Sequence, residues 1–161
     1  MDSQPPLVTE EAAAFREALP EGGMLLGLDL GTRTIGVALC DPGWSFATAG
    51  KTLERGKFGH DLAVLRALCD QRRVAGIVIG LPLNMDGSSG PRAQASRAYA
   101  RNLAPLGRPV LLWDERWSTS AAERDMIAQD MSRARRAERI DSHAAAVILQ
   151  GAIDRLAGGM F

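Results

Sequence analysis

Residues 24–40 read MLLGLDLGTRTIGVALC. Two apolar runs, 24–30 and 35–40, flank Gly31-Thr32-Arg33-Thr34, which is the pattern of an antiparallel hairpin. Asp29 stands inside the first run, and a carboxylate in an apolar strand is expensive to bury unless it is paired or bound to metal. Gly27, Gly31 and Gly36 leave room beside it for backbone or ligand. Capping of the hairpin turn is the plainer role for such an aspartate, so these residues alone leave both roles open.

Working outward, Asp41-Pro42-Gly43 forces another turn and 45–53 reads as a weaker third strand. A loop over 54–59 leads to a helix over 60–73, with Leu62, Leu65, Leu68 and Cys69 at helical spacing. The run VAGIVIGL at 74–81 is short, continuously apolar and rich in β-branched residues, as a central strand buried on both faces requires. The loop NMDGSSGP follows, then a helix over 91–106 and a strand over 109–113. Ser120 and Glu123 make a capping box for a further helix, and 140–156 is a last amphipathic helix. Three meander strands followed by strands returning through right-handed helical crossovers predict an α/β protein, a mixed five-stranded sheet flanked by helices. That is the element order of the ribonuclease H-like fold.

Residues 1–22 carry Pro5-Pro6 and a short acidic helix stopped by Pro20 and Gly22-Gly23. They read as a peripheral N-terminal appendage, with 23–161 as the single domain. The 161 residues are 46% hydrophobic, enough for one core and against disorder. No run reaches the roughly 18–20 apolar residues of a membrane span, and the N-terminus has no basic and apolar export signal. The expectation is a cytoplasmic protein without a membrane partner. Cys40 and Cys69 are too few for a disulfide framework or zinc site and read as buried thiols.

The formal charge is zero, but Asp2, Glu10, Glu11, Glu17 and Glu21 against Arg16 leave the remainder at +4. Seventeen of the nineteen bases in the whole chain are Arg, a side chain that binds phosphate bidentately and stacks on bases. The composition therefore permits a nucleic-acid partner without requiring one. Asp114 and Glu115 end the strand over 109–113, where open α/β sheets place ligands. Alternation puts Trp113 and Glu115 on one face and Asp114 on the other, so one of the two acids can be structural. Asp141 is read as opening the last helix, where a dipole partner is the plainer role. Acids at two strand ends and one helix can hold one or two Mg²⁺ or Mn²⁺ ions, hard cations that take oxygen ligands.

DLGTRTIGVA, IVIGLPLNMDG, DERWST and RRAERIDSHAAAVIL, in that order, resemble the successive signatures of the YqgF family. These are ribonuclease H-like proteins described as Holliday-junction resolvase-like and as pre-16S rRNA nucleases. The resemblance runs from Met24 to Leu156. It implies that Asp29, Glu115 and Asp141 are the metal-binding catalytic acids, that Mg²⁺ or Mn²⁺ is the cofactor, and that structured RNA or branched DNA is the substrate. The implied reaction is hydrolysis of phosphodiester bonds in 5′-end processing of pre-16S rRNA. Resolvases of the RuvC type place two acids one turn apart on the last helix, whereas Asp141 is followed at that spacing by Ala144 and Ala145. Trp117 also replaces the Leu or Phe expected in DERWST.

Arg116 follows Glu115, and Arg133, Arg135, Arg136 and Arg139 precede Asp141. Arg116, Arg135, Arg136 and Arg139 are candidate phosphate-binding residues, since phosphate contacts supply most nucleic-acid affinity; a solvated helix terminus is the alternative. Asn84, Asp86 and Ser88 border the site or form a plain turn, and His143 is read as a surface residue before a proton carrier. Trp44, Trp113 and Trp117 are read first as packing. Two other classes compete with the nuclease. DxG with a following Thr also occurs in actin-like kinases and chaperone ATPases, which need two such domains. A non-catalytic nucleic-acid-binding factor would keep the acids for structure. Without coiled-coil heptads, the expectation is a monomer or weak dimer, which favours a single-strand cutter over a Holliday-junction resolvase.

Overall fold

A computed structural model describes residues 5–19, 23–117 and 133–158, with the side chains of 117 and 133–141 outside that description. In chain order the elements are β1 (Val8–Thr9), α1 (Ala12–Ala18), β2 (Met24–Leu30), β3 (Thr34–Cys40), β4 (Ala47–Ala49), β5 (Leu53–Glu54), α2 (Phe58–Arg72), β6 (Val74–Leu81), α3 (Pro91–Asn102), β7 (Val110–Asp114) and α4 (Arg133–Gly158). Short 3-10 turns occupy Ala104–Leu106 and Glu115–Trp117.

One sheet runs in the order β1-β7-β6-β2-β3-β4, with β5 also on β3. β2, β6, β7 and β1 are mutually parallel, and β3 is antiparallel to β2. β6 lies inside the sheet because it carries no polar side chain and all but Ala75 is buried; such a run needs cover on both faces. Alternation divides the cover. Leu26, Leu28, Ile77 and Ile79 pack with Leu65 of α2 and Tyr99 of α3. On the other face Leu25, Val78, Leu111 and Trp113 pack with Ala145, Ile148, Leu149 and Ala152 of α4. This is the mixed α/β sheet expected, in the ribonuclease H-like arrangement of three antiparallel strands and parallel strands returning through helices.

Four expectations are corrected. Among the described residues the sheet has seven strands rather than five. The weak third strand is split into β4 and β5, which pair with opposite ends of β3, and β1 is added at the far edge. The segment 1–22, expected to be peripheral, is joined to the core over residues 8–19. Val8 and Thr9 pair with Val110 and Leu111, and Phe15 of α1 is fully buried beside Leu19. The helix over 91–106 stops at Asn102 and gives way to the turn containing Pro105, which has no N–H to continue an α-helical ladder. Finally, the last helix begins at Arg133, so Asp141 stands about two turns inside it rather than opening it. RARRAER is composed of strong helix formers with no Gly or Pro to stop them.

Cys40 and Cys69 are both buried free thiols, as expected. Trp113 is buried, and the half-buried Trp44 donates its indole N–H to the Gly23 carbonyl at 2.9 Å; both pack. Among the described residues no helix is long and apolar enough to cross a membrane. The Ser120–Glu123 capping box lies outside the described residues.

Candidate active site at the carboxyl edge of the sheet

β2, β6 and β7 run in parallel, so their carboxyl ends share one edge. Asp29 is the penultimate residue of β2 and lies opposite Gly36 of β3. It alternates with Leu25 and Gly27, whose face is covered by α4: a Cβ on Gly27 would come 2.8 Å from the Leu149 Cβ. Asp29 therefore belongs to the α4 face. The register pairs Leu28 with Ile79, and one further step sets Asp29 beside Gly80.

Glu115 reaches that same place from the other side. Gly80 pairs with Trp113 of β7, and a Cβ on Gly80 would meet Glu115 Oε2 at 2.9 Å and Ile148 Cδ1 at 2.7 Å. The Glu115 carboxylate thus lies over β6, on the α4 face, in a space that only glycine leaves open. Since neighbouring strands are spaced by about 4.8 Å, this brings it within about one strand spacing of β2. Both residues are half-buried, and carboxylate oxygens are the ligand type that a hard divalent cation takes.

Asp114 turns the other way. Its carboxylate takes a fork from Arg116, with Nη2 to Oδ2 at 2.7 Å and Nε to Oδ1 at 3.1 Å. These hydrogen bonds hold its carboxyl below the usual carboxylate range. Arg116 also donates through Nη1 to the Met85 carbonyl at 3.2 Å, which ties the loop after β6 to the end of β7. In that loop Ser88 N–H and Oγ–H both donate to Asp86 Oδ1, at 2.9 and 2.6 Å, and Asn84 Nδ2 donates to Ser88 Oγ at 3.0 Å. Asn84, Asp86 and Ser88 form a turn that keeps its own shape.

The side chains of Arg135, Arg136, Arg139 and Asp141 lie outside the described residues. Next to Asp141, the buried Ser142 Oγ is 2.5 Å from Thr52 Oγ1, and His143 is half-buried on α4. Among the described residues no three metal-ligating side chains form a cluster.

Two features escaped the sequence reading. Gly80 gives Glu115 its space, and only its position in an otherwise fully apolar strand hinted at it. Arg97 of α3 bonds Glu10 at 3.1 Å and also Ser89, linking the N-terminal segment to the loop after β6; nothing local in the sequence pairs residues so far apart.

A ribonuclease H-like sheet with acidic side chains at the carboxyl ends of its parallel strands defines a class, that of the resolvase-like proteins. Residues 23–155 match the family model RuvX, described as Holliday junction resolvase, and the chain belongs to that family. A relative from Novosphingobium aromaticivorans, named "Putative pre-16S rRNA nuclease", is 67% identical over 96% of this chain and 100% of its own. One of the same name from Zymomonas mobilis is 57% identical over 92% of this chain and 91% of its own. Among solved structures, Thermus thermophilus RuvC is similar with a TM-score of 0.53 at 12% identity, covering 84% of this chain and 96% of that one. The same protein in complex with a Holliday junction substrate gives 0.52 at 13% identity, over 81% and 93%. At that identity the likeness is one of fold.

Proposed function

We propose that this protein is a divalent-metal-dependent nuclease that hydrolyses phosphodiester bonds in RNA, acting at the 5′ end of pre-16S rRNA, with Asp29, Glu115 and Asp141 holding the metal. One observation carries the site: the Glu115 carboxylate sits in the space above Gly80, beside the strand end that bears Asp29 and under the helix that bears Asp141. The names of the relatives support the substrate, and the all-oxygen donor set fits Mg²⁺ or Mn²⁺. Such an ion, when bound, neutralises charge developing on the phosphodiester oxygens and lowers the pKa of a bound water.

The chain's own part is to fix the carboxylates and admit the substrate. Gly80 leaves Glu115 its place. The Asp114–Arg116 fork anchors the strand end that carries it, and Arg116, Arg135, Arg136 and Arg139 are assigned to the flanking phosphates. Arg116 brings to that role a guanidinium already oriented by Asp114.

A single-strand cutter is favoured over a resolvase. Ala144 and Ala145 are fully buried, so the two positions one turn beyond Asp141 are packed in the core and contribute no second acid. The test is incubation of the purified protein with a precursor rRNA fragment and with a four-way DNA junction, each with Mg²⁺ or Mn²⁺. Metal-dependent cleavage of the RNA is expected. Paired symmetric nicks in the junction with the RNA intact would make the protein a resolvase, and cleavage of neither would make it a non-catalytic binding factor.

Gly80→Ala tests the geometry directly. The added methyl must displace Glu115 or Ile148, and a misplacement of about 1 Å in a catalytic group costs about 10²-fold in rate. Cleavage is expected to fall by about that factor while circular dichroism shows the fold retained. Full activity in the variant would remove Glu115 from the site.

A further inference from the structure

On the opposite face of the same strand end, a cleft of about 100 Å³ opens between the β2–β3 turn and α3, lined by Gly31, Thr32, Arg55, Arg92 and Ser96 among others. Arg55 is set in place by its neighbours. Its Nη1 donates to the Gly31 carbonyl at 2.6 Å, and its guanidinium lies 5.3 Å from the centre of the Tyr99 ring, which in turn meets Phe58 edge-on. A guanidinium has five donors, so this one keeps donors free while its orientation is fixed. Arg92 comes from the first turn of α3, exposed across the cleft.

Basic side chains outnumber acids around it. The Arg55 N–H donates to the Arg33 carbonyl at 2.9 Å, bringing the turn 31–34 against the segment that holds Arg55 and Lys57. Arg33 and Lys57 are both exposed. Of the nearby acids, Asp61 is buried and accepts from the Gly56 N–H at 2.9 Å, which leaves Glu54 at the rim. A small cleft with two guanidiniums and a cationic border suits a phosphodiester group. Its wall begins at Leu30 and Gly31, directly after Asp29, so its occupant is a flank of whatever chain lies at the carboxylates.

We propose that this cleft is a second phosphate subsite, in which Arg55 and Arg92 hold the substrate strand where it crosses the end of β2, on the side of the sheet away from α4. The subsite rests on the nuclease reading for the identity of the strand. It acts on binding rather than on bond cleavage, because it lies across the strand from the face that carries Asp29 and Glu115.

The test compares wild type, Arg92→Ala and Arg92→Lys in cleavage kinetics on the precursor rRNA fragment and in fluorescence anisotropy with the same RNA over a range of salt. Arg92 is exposed at a helix end, so both variants fold. In Arg92→Ala, KM and the RNA dissociation constant are expected to rise about tenfold, the loss of one charge-assisted contact, with kcat unchanged as for lost uniform binding. The slope of log affinity against log salt falls by about 0.7–0.9, and Arg92→Lys recovers the slope. Wild-type cleavage with affinity and slope unchanged in Arg92→Ala overturns the subsite and leaves the nuclease standing. RNA binding weakened in Arg92→Ala, with no cleavage by wild type, sustains the subsite and overturns the nuclease. Wild type that binds inorganic phosphate but no RNA overturns both.

Discussion

Asp29→Asn is expected to lower the cleavage rate at saturating metal and substrate by at least about 10²–10³-fold, the scale on which removal of one electrostatic stabiliser acts, and to leave the protein folded. The amide has nearly the shape of the carboxylate, so the β2–β3 ladder around Gly36 and the cover by α4 are undisturbed. What changes is charge. Asp29 and Glu115 lie on one face of one strand edge, and without a cation their repulsion weighs against the folded state. Asp29→Asn removes it, so in chelator the variant should melt no lower than wild type and can melt higher. With Mg²⁺ or Mn²⁺ the order reverses: the wild type gains stability in proportion to its occupancy and the variant gains little. Melting curves with and without metal, beside the cleavage assay, read both arms. A variant that cleaves normally, or a wild type whose melting is indifferent to both ions, removes Asp29 from a metal site.

Phe15→Ala should be the most damaging single change outside the site, destabilising the fold by about 3–5 kcal/mol, the usual range for a buried Phe reduced to Ala. Phe15 is fully buried although it lies in the short helix α1. The tip of its ring lies against β6, where a Cβ on Gly76 would come 2.8 Å from Phe15 Cζ and 2.6 Å from Leu19 Cδ2. Small-residue floor and large-residue plug are matched, so alanine at 15 opens a void that the strand cannot fill. Urea unfolding should show the midpoint shifted strongly to lower concentration. Glu10→Ala is the control: its ion pair with Arg97 has Glu10 about half exposed, and such surface pairs contribute ~1 kcal/mol or less. If Phe15→Ala is as mild as Glu10→Ala, α1 does not belong to the core.

The two substitutions mark different limits of what can be read in a linear chain. Asp29 was legible because its context is local. A lone carboxylate in MLLGLDLG and the glycines around it are adjacent in sequence, and strand alternation alone separates Glu115 from Asp114, since the side-chain period of a strand is two. The parallel strand β6 was legible for the same reason, as eight apolar residues need no partner to be recognised as doubly covered. Phe15 was not legible. AAAFREA carries a single large apolar residue, which reads as a solvent-facing helix until Gly76, sixty-one residues on, is seen to leave a hollow for it.

Pairing energy in a sheet edge and complementarity in a core both arise between residues distant along the chain, and neither leaves a periodic signal in either partner. Hence β1 became visible only once Val110 and Leu111 offered Val8 and Thr9 an open edge. Likewise, only the packed sheet shows that Gly80 makes the space for Glu115, and that Arg55 and Arg92, thirty-seven positions apart, face one cleft. The order of elements, the sheet's inner strand and the acids at its strand ends follow from local period and composition. Which of those groups stand together is decided by register and by the side chains that glycine leaves out.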